Sequence, residues 1–74
     1  MANKVTVIIE KDENGYYAYC PELTGCQSQG ETLEETMKNI REAVDLYVET
    51  LSQEERKLYL IKEILTTAVE VSIA

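Results

Sequence analysis

Alternation opens the chain. In residues 4–11, KVTVIIEK, the apolar Val5, Val7 and Ile9 share one side at period two, and Thr6, Ile8 and Glu10 share the other. This predicts a strand with one fully apolar face and one mixed face. The next four residues, 12-DENG-15, are a hairpin signal, because Asn-Gly supplies the positive φ needed at the centre of a type I′ turn. A second strand follows at 16–20, with Tyr16, Ala18 and Cys20 on one side and Tyr17 and Tyr19 on the other. Pro21 ends it, since proline has no N–H for the ladder. Gly25 and Gly30 offer positions for positive φ, and residues 26–29 between them suit a short third strand.

The period then changes from two to 3.6. Leu33, Met37, Ile40, Val44, Tyr47, Val48 and Leu51 recur at spacings of three and four, the stripe of an amphipathic helix. Thr32, three residues before Glu35, is placed as its N-cap in a capping box, and Ser52 with Glu55 starts a second, shorter helix. The stretch 58-LYLIKEIL-65 fits helix or strand equally well. Residues 66–73 alternate again through Val69, Val71 and Ile73, which predicts a last strand. A hairpin followed by a helical crossover brings that strand back beside the first, parallel to it, through a right-handed connection. The expected architecture is α+β. It is a single domain over residues 1–74, with a three-strand antiparallel meander, a parallel C-terminal strand and one main helix packed on one sheet face. The opposite face, carrying Thr6, Ile8 and Tyr17, stays partly open.

Length narrows the picture. A domain of 74 residues buries only about 60–65% of the surface of its unfolded chain, so its core is thin and self-association is expected. Apolar residues at 45% and charged residues at 28% mark a globular chain rather than a disordered one. The sequence shows neither a membrane-spanning apolar run nor a signal-peptide pattern at its N-terminus, so a cytoplasmic location is expected. The net charge of -7 is spread along the chain. An acidic surface repels phosphate and disfavours direct nucleic-acid binding, while it suits a basic protein partner.

Candidate chemistry is sparse. Cys20 and Cys26 are the only two cysteines and there is no histidine, so one chain cannot complete a four-ligand Cys/His zinc site. Their spacing is not the two-residue redox motif, and a reducing compartment disfavours a disulfide. Two free, partly buried thiols acting as small hydrophobes is the reading that remains. Without histidine, Cys20, Cys26 and Ser28 lack the usual activating base. A divalent-metal nuclease would need clustered carboxylates, and Glu10, Asp12 and Glu70 are scattered. Neither a catalytic residue, nor a metal site, nor a cofactor is therefore expected.

One stretch is more specific. The tyrosine-rich strand, the 21-PELTGC-26 turn, the helix start Gly30-Glu31-Thr32-Leu33-Glu34-Glu35 and the helix core Asn39-Ile40-Arg41-Glu42-Ala43 follow one another in an order that resembles the HicB-like antitoxin family. The resemblance implies a partial ribonuclease-H-like fold without that enzyme's metal-binding acids. It also implies a role: binding and silencing a HicA-type toxin, a small basic ribonuclease that cleaves mRNA. Pro21, Gly25, Gly30 and Thr32 carry over as architectural positions. Tyr17, Tyr19 and Glu22, placed at the open face or its rim, are the expected partner contacts. Many members append a DNA-binding module, for which a chain ending at Ala74 has no room, so operator binding is not expected. The alternatives are an oligomeric binding module without a toxin partner and, from another class, the metal-dependent nuclease.

Overall fold

A computed structural model describes residues 4–73. Three strands, β1 (Ile8–Asp12), β2 (Gly15–Tyr19) and β3 (Gln27–Gly30), precede two helices, α1 (Leu33–Glu49) and α2 (Gln53–Leu60). The sheet is an antiparallel meander in the order β1-β2-β3. Its register aligns Ile9, Ala18 and Ser28 on the helix side and Ile8, Tyr19 and Gln27 on the other. The α+β meander with its main helix on one face is as expected.

The hairpin differs from the type I′ turn. Asp12 pairs with Gly15, so Glu13 and Asn14 occupy the turn centre, and neither has positive φ. The Asp12 carboxylate accepts from the Asn14 N–H at 2.8 Å, a local bond that favours this turn. Only Gly15, just beyond it, takes the positive φ.

The β2–β3 connection is two consecutive β-turns. Leu23 N–H donates to the Cys20 carbonyl at 3.1 Å, with Pro21 at the second position, where its fixed φ fits. Cys26 N–H donates to the Leu23 carbonyl at 2.9 Å, with Gly25 at the third position and φ of 82°. That is the type II pattern, and it explains Gly25. Cys20 N–H donates to the Cys26 carbonyl at 3.1 Å and extends the β2–β3 ladder by one rung. The two turns thrust Leu23 into the core, where it has no solvent exposure.

Gly30 has another role than the one expected. Its φ is not positive. A Cβ there would meet Thr36 Oγ1 at 2.7 Å and Thr36 N at 2.9 Å. Gly30 lets the first turn of α1 close against β3. Thr32 caps that turn, accepting from Glu35 N–H at 3.1 Å. At α2 the box is complete: Ser52 Oγ accepts from Glu55 N–H at 3.1 Å and Glu55 Oε1 accepts from Ser52 N–H at 2.9 Å.

The core is small: Ala18, Cys20, Leu23, Cys26 and Ile40, with Val5, Val7, Ile9, Val44, Tyr47 and Val48 packed half-buried around it. On the α1 stripe, Leu33 and Met37 stay largely exposed.

The expected C-terminal strand parallel to β1 is not in this sheet. Residues 58–60 are the end of α2, and 62–73 have no regular structure. Leu65, Val69, Val71 and Ile73 are all more than two-thirds exposed. Alternation makes a strand only beside a partner backbone, and the chain leaves α2 into solvent rather than along β1. The ribonuclease-H-like arrangement depends on that strand, and three strands with a helix do not by themselves make it.

Gly30→Ala is expected to destabilise the protein by about 1–3 kcal/mol, the usual cost of forcing atoms into a closed contact. A urea melt measures it, and a midpoint equal to wild type would show that the β3–α1 contact yields freely.

Candidate functional site

The open sheet face is built by register. Ile8, Tyr19 and Gln27 form one cross-strand row, and Glu10, Tyr17 and Gln29 the next. Within it the Tyr17 and Tyr19 rings lie 5.7 Å apart at 34°. Tyr17 donates its hydroxyl to Gln27 Oε1 at 2.7 Å, which fixes the ring across two strands. Tyr17 is exposed and Tyr19 half-buried. The result is a flat patch, aromatic at its centre, with amides on the β3 side and the carboxylates of Glu10 and Asp12 towards the hairpin. Such a surface can bury rings against a partner and meet positive charge at its edge.

Glu22 is not at the rim of this patch. It is buried, and its Oε2 accepts from the Thr6 N–H at 2.9 Å. Pro21 turns the chain away after β2, so Thr6 loses a backbone partner and the carboxylate takes its place. Glu22 Oε1 is buried without a hydrogen-bond partner among the described residues. The expected contact role for Glu22 is thus replaced by a positioning one: it holds the segment before β1 against the double turn.

The thiols sit together because they face each other across the last ladder rung. Both are free and buried. Burial, then the neighbouring Cys26 and Glu22, push the Cys20 thiol up to about 12. Burial also raises Cys26, against the lowering effect of its hydrogen bond with Cys20. Protonated thiols are poor nucleophiles and poor metal ligands. Among the described residues no group of three or more His, Cys, Asp or Glu is placed to hold a metal ion. Glu10 and Asp12 lie at the hairpin, and Glu70 is exposed on the C-terminal segment, so the three acids considered for a nuclease do not share a site. No helix among the described residues is long and apolar enough to cross a membrane.

The double turn, the Gly30 contact and the Thr32 cap now account physically for the stretch that resembles a known family. The sequence profile described as "HicB_like antitoxin of bacterial toxin-antitoxin system" matches residues 5–71. The chain belongs to the HicB-like antitoxin family. A UPF0150 protein of Helicobacter pylori is 41% identical over 70 residues, covering 95% of this chain and 97% of the relative. A UPF0150 protein of Synechocystis sp. is 54% identical over 50 residues, 66% of this chain and 63% of its own length. One from Thermoplasma acidophilum is 48% identical over 56 residues, 74% of this chain and 81% of its own. No solved structure matches.

Two features of this HicB-like chain were not read from its sequence. Asn39 on α1 donates to the Gln29 carbonyl at 2.9 Å. Ladder bonds alternate, and with Cys20 and Cys26 bonded to each other, the Gln29 carbonyl points away from β2. Asn39 therefore bonds one outward-facing carbonyl on the outer edge of β3. The second feature is an open groove beside the other edge, lined by Val5, Val7, Met37, Ile40 and Val44 with Lys38, Arg41 and Asp45 at its lip. The exposure of Met37 follows from this groove.

The raised Cys20 thiol gives a pH dependence. The unfolded thiol releases its proton near 9.0, the folded one only near 12. The stability this represents is fully present below about pH 9 and is lost as pH rises towards about 12. Urea melts of wild type and Cys20→Ala across that range are expected to show a steeper alkaline decline in wild type. Parallel declines would refute it.

Proposed function

We propose that this chain is an antitoxin that binds a small basic HicA-type ribonuclease and silences it by covering its RNA-binding surface. The observation that carries the reading is the open tyrosine face. Tyr17 and Tyr19 are held side by side on an acidic, HicB-like scaffold, with no packing neighbour assigned to that face by the helix. Tyrosine is favoured at interface centres because a rigid ring buries much area at little entropic cost and keeps a hydroxyl for the rim. The negative charge does a second job. An RNA-cleaving toxin must hold phosphate, so its working surface is positive, and an acidic inhibitor is steered to that surface rather than elsewhere. Inhibition then needs no chemistry from the antitoxin, only occlusion. The place of action would be the cytoplasm, where mRNA is translated. Self-association in solution accords with the thin core.

The test is co-expression with the product of an adjacent small basic reading frame, followed by affinity measurement at two salt concentrations. The expected result is rescue of growth, a complex that weakens as salt rises, and at least about a tenfold loss of affinity in Tyr17→Ala/Tyr19→Ala with the helical circular dichroism retained. A basic ribonuclease that binds as tightly to the double variant would place the interface elsewhere. Failure of any adjacent toxin to bind at low salt would remove the antitoxin reading.

A further inference from the structure

The two thiols have no part in the tyrosine face, and the ladder gives their spacing a meaning. Cys20 and Cys26 stand directly opposite each other, one step beyond the Tyr19–Gln27 pair. Both are buried and free. The rung between them is half made. Cys20 N–H donates to the Cys26 carbonyl at 3.1 Å, while Cys26 N–H turns away to the Leu23 carbonyl at 2.9 Å.

Opposed residues on such a rung have Cα atoms about 5.5 Å apart, inside the range a disulfide spans. Their Cβ atoms lie about 4.5–5.5 Å apart, and a disulfide needs about 3.8 Å. A bridge is therefore within reach, but only by drawing the strand ends together. The missing half of the rung, at the last step of the ladder, leaves them room to move. A bridge made under such tension is easily reduced again.

Two latches decide when the pair can react. The Glu22 carboxylate accepts from the Thr6 N–H at 2.9 Å, and the Tyr47 hydroxyl donates to the Thr24 carbonyl at 2.8 Å. Glu22 and Thr24 both lie between the two cysteines, so these bonds hold the double turn in place. While it is held, the thiols stay protonated. Burial, then Cys26 and Glu22 nearby, push the Cys20 thiol up to about 12, and burial also raises Cys26. A protonated thiol reacts slowly, so oxidation waits for the turn to open.

We propose that Cys20 and Cys26 are an oxidation site for a peroxide, forming a reversible disulfide across the β2–β3 ladder when the Tyr47 latch releases the double turn. Cys26 reacts first, because the hydrogen bond from Cys20 favours its thiolate. Its sulfur attacks one peroxide oxygen, the O–O bond breaks, and the hydroxide that leaves is protonated to water. The Cys20 sulfur then attacks the sulfur of the resulting sulfenic acid. The S–O bond breaks, and the departing hydroxide takes up the Cys20 proton as a second water. Two thiols and one hydrogen peroxide give one disulfide and two waters. Two glutathione thiols reverse the bridge by exchange, leaving oxidised glutathione. The bridge joins the two ends of the double turn, so the turn that carries Leu23 no longer opens freely. This inference is independent of any toxin.

The test treats the full chain, folded and without denaturant, with a small molar excess of hydrogen peroxide. The expected product is a single chain that has lost two hydrogens and both free thiols, with tandem mass spectrometry placing the bridge between Cys20 and Cys26. Reduced glutathione should return both thiols. Tyr47→Phe, with circular dichroism showing the helices retained, should speed bridge formation at least about threefold, the effect of losing one hydrogen bond. Four results each overturn the proposal: both thiols surviving, a bridge between chains, a product that glutathione does not reduce, or a Tyr47→Phe rate equal to wild type.

Discussion

Leu23 is the residue around which the fold is organised. It lies in a connection between strands, yet it is fully buried, because two turns end to end carry it under α1. Burying a leucine side chain contributes about 1.5–3 kcal/mol, a large share for a core of five buried apolar residues among those described. Everything nearby is arranged to hold it. Cys20 and Cys26 close the rung beneath it, Glu22 ties the double turn to Thr6, and Tyr47 donates its hydroxyl to the Thr24 carbonyl at 2.8 Å from the far end of α1. The loop thus touches the segment before β1, both flanking strands and the helix. In a small domain a connection can serve as core, and here it does.

The same economy explains the polar atoms in the interior. Thr36 is fully buried, and its hydroxyl donates to the Thr32 carbonyl at 2.8 Å. It occupies the space that Gly30 leaves by having no side chain. Glu22 is more costly, since one carboxylate oxygen is paired with Thr6 and the other has no partner among the described residues. A buried carboxylate is tolerated where it replaces a missing backbone partner, and Pro21 had removed the ladder at that point.

What could be read from the sequence divides along physical lines. The α1 stripe, the Thr32 and Ser52 caps and the two faces of β1 and β2 depend on local periodicity, and they were legible. Gly25 was legible as a positive-φ position because a type II turn leaves its mark on one residue. Gly30 was not, because its reason lies in Thr36, six residues on, and only the closed structure reveals it. Glu22 was misplaced for a similar reason: a glutamate after a proline reads as solvated, and its burial is decided by Thr6, sixteen residues away. The Asn14-Gly15 pair gave the hairpin but not its register, since the Asp12 side chain moved the turn by one residue. The last strand is the instructive miss. Alternation states that a segment can be a strand, and says nothing about whose edge it will join.

The two surfaces of this protein lie on opposite sides of one sheet. The tyrosine patch shares its face with Ile8 and Gln27, while the groove opens on the helix side among Val5, Val7 and Met37. The row of Tyr17 and Tyr19 is on β2, away from the groove beside β1. Closing the apolar side and presenting the aromatic side are therefore compatible. A domain with so small a core spends one sheet face on packing and leaves the other open.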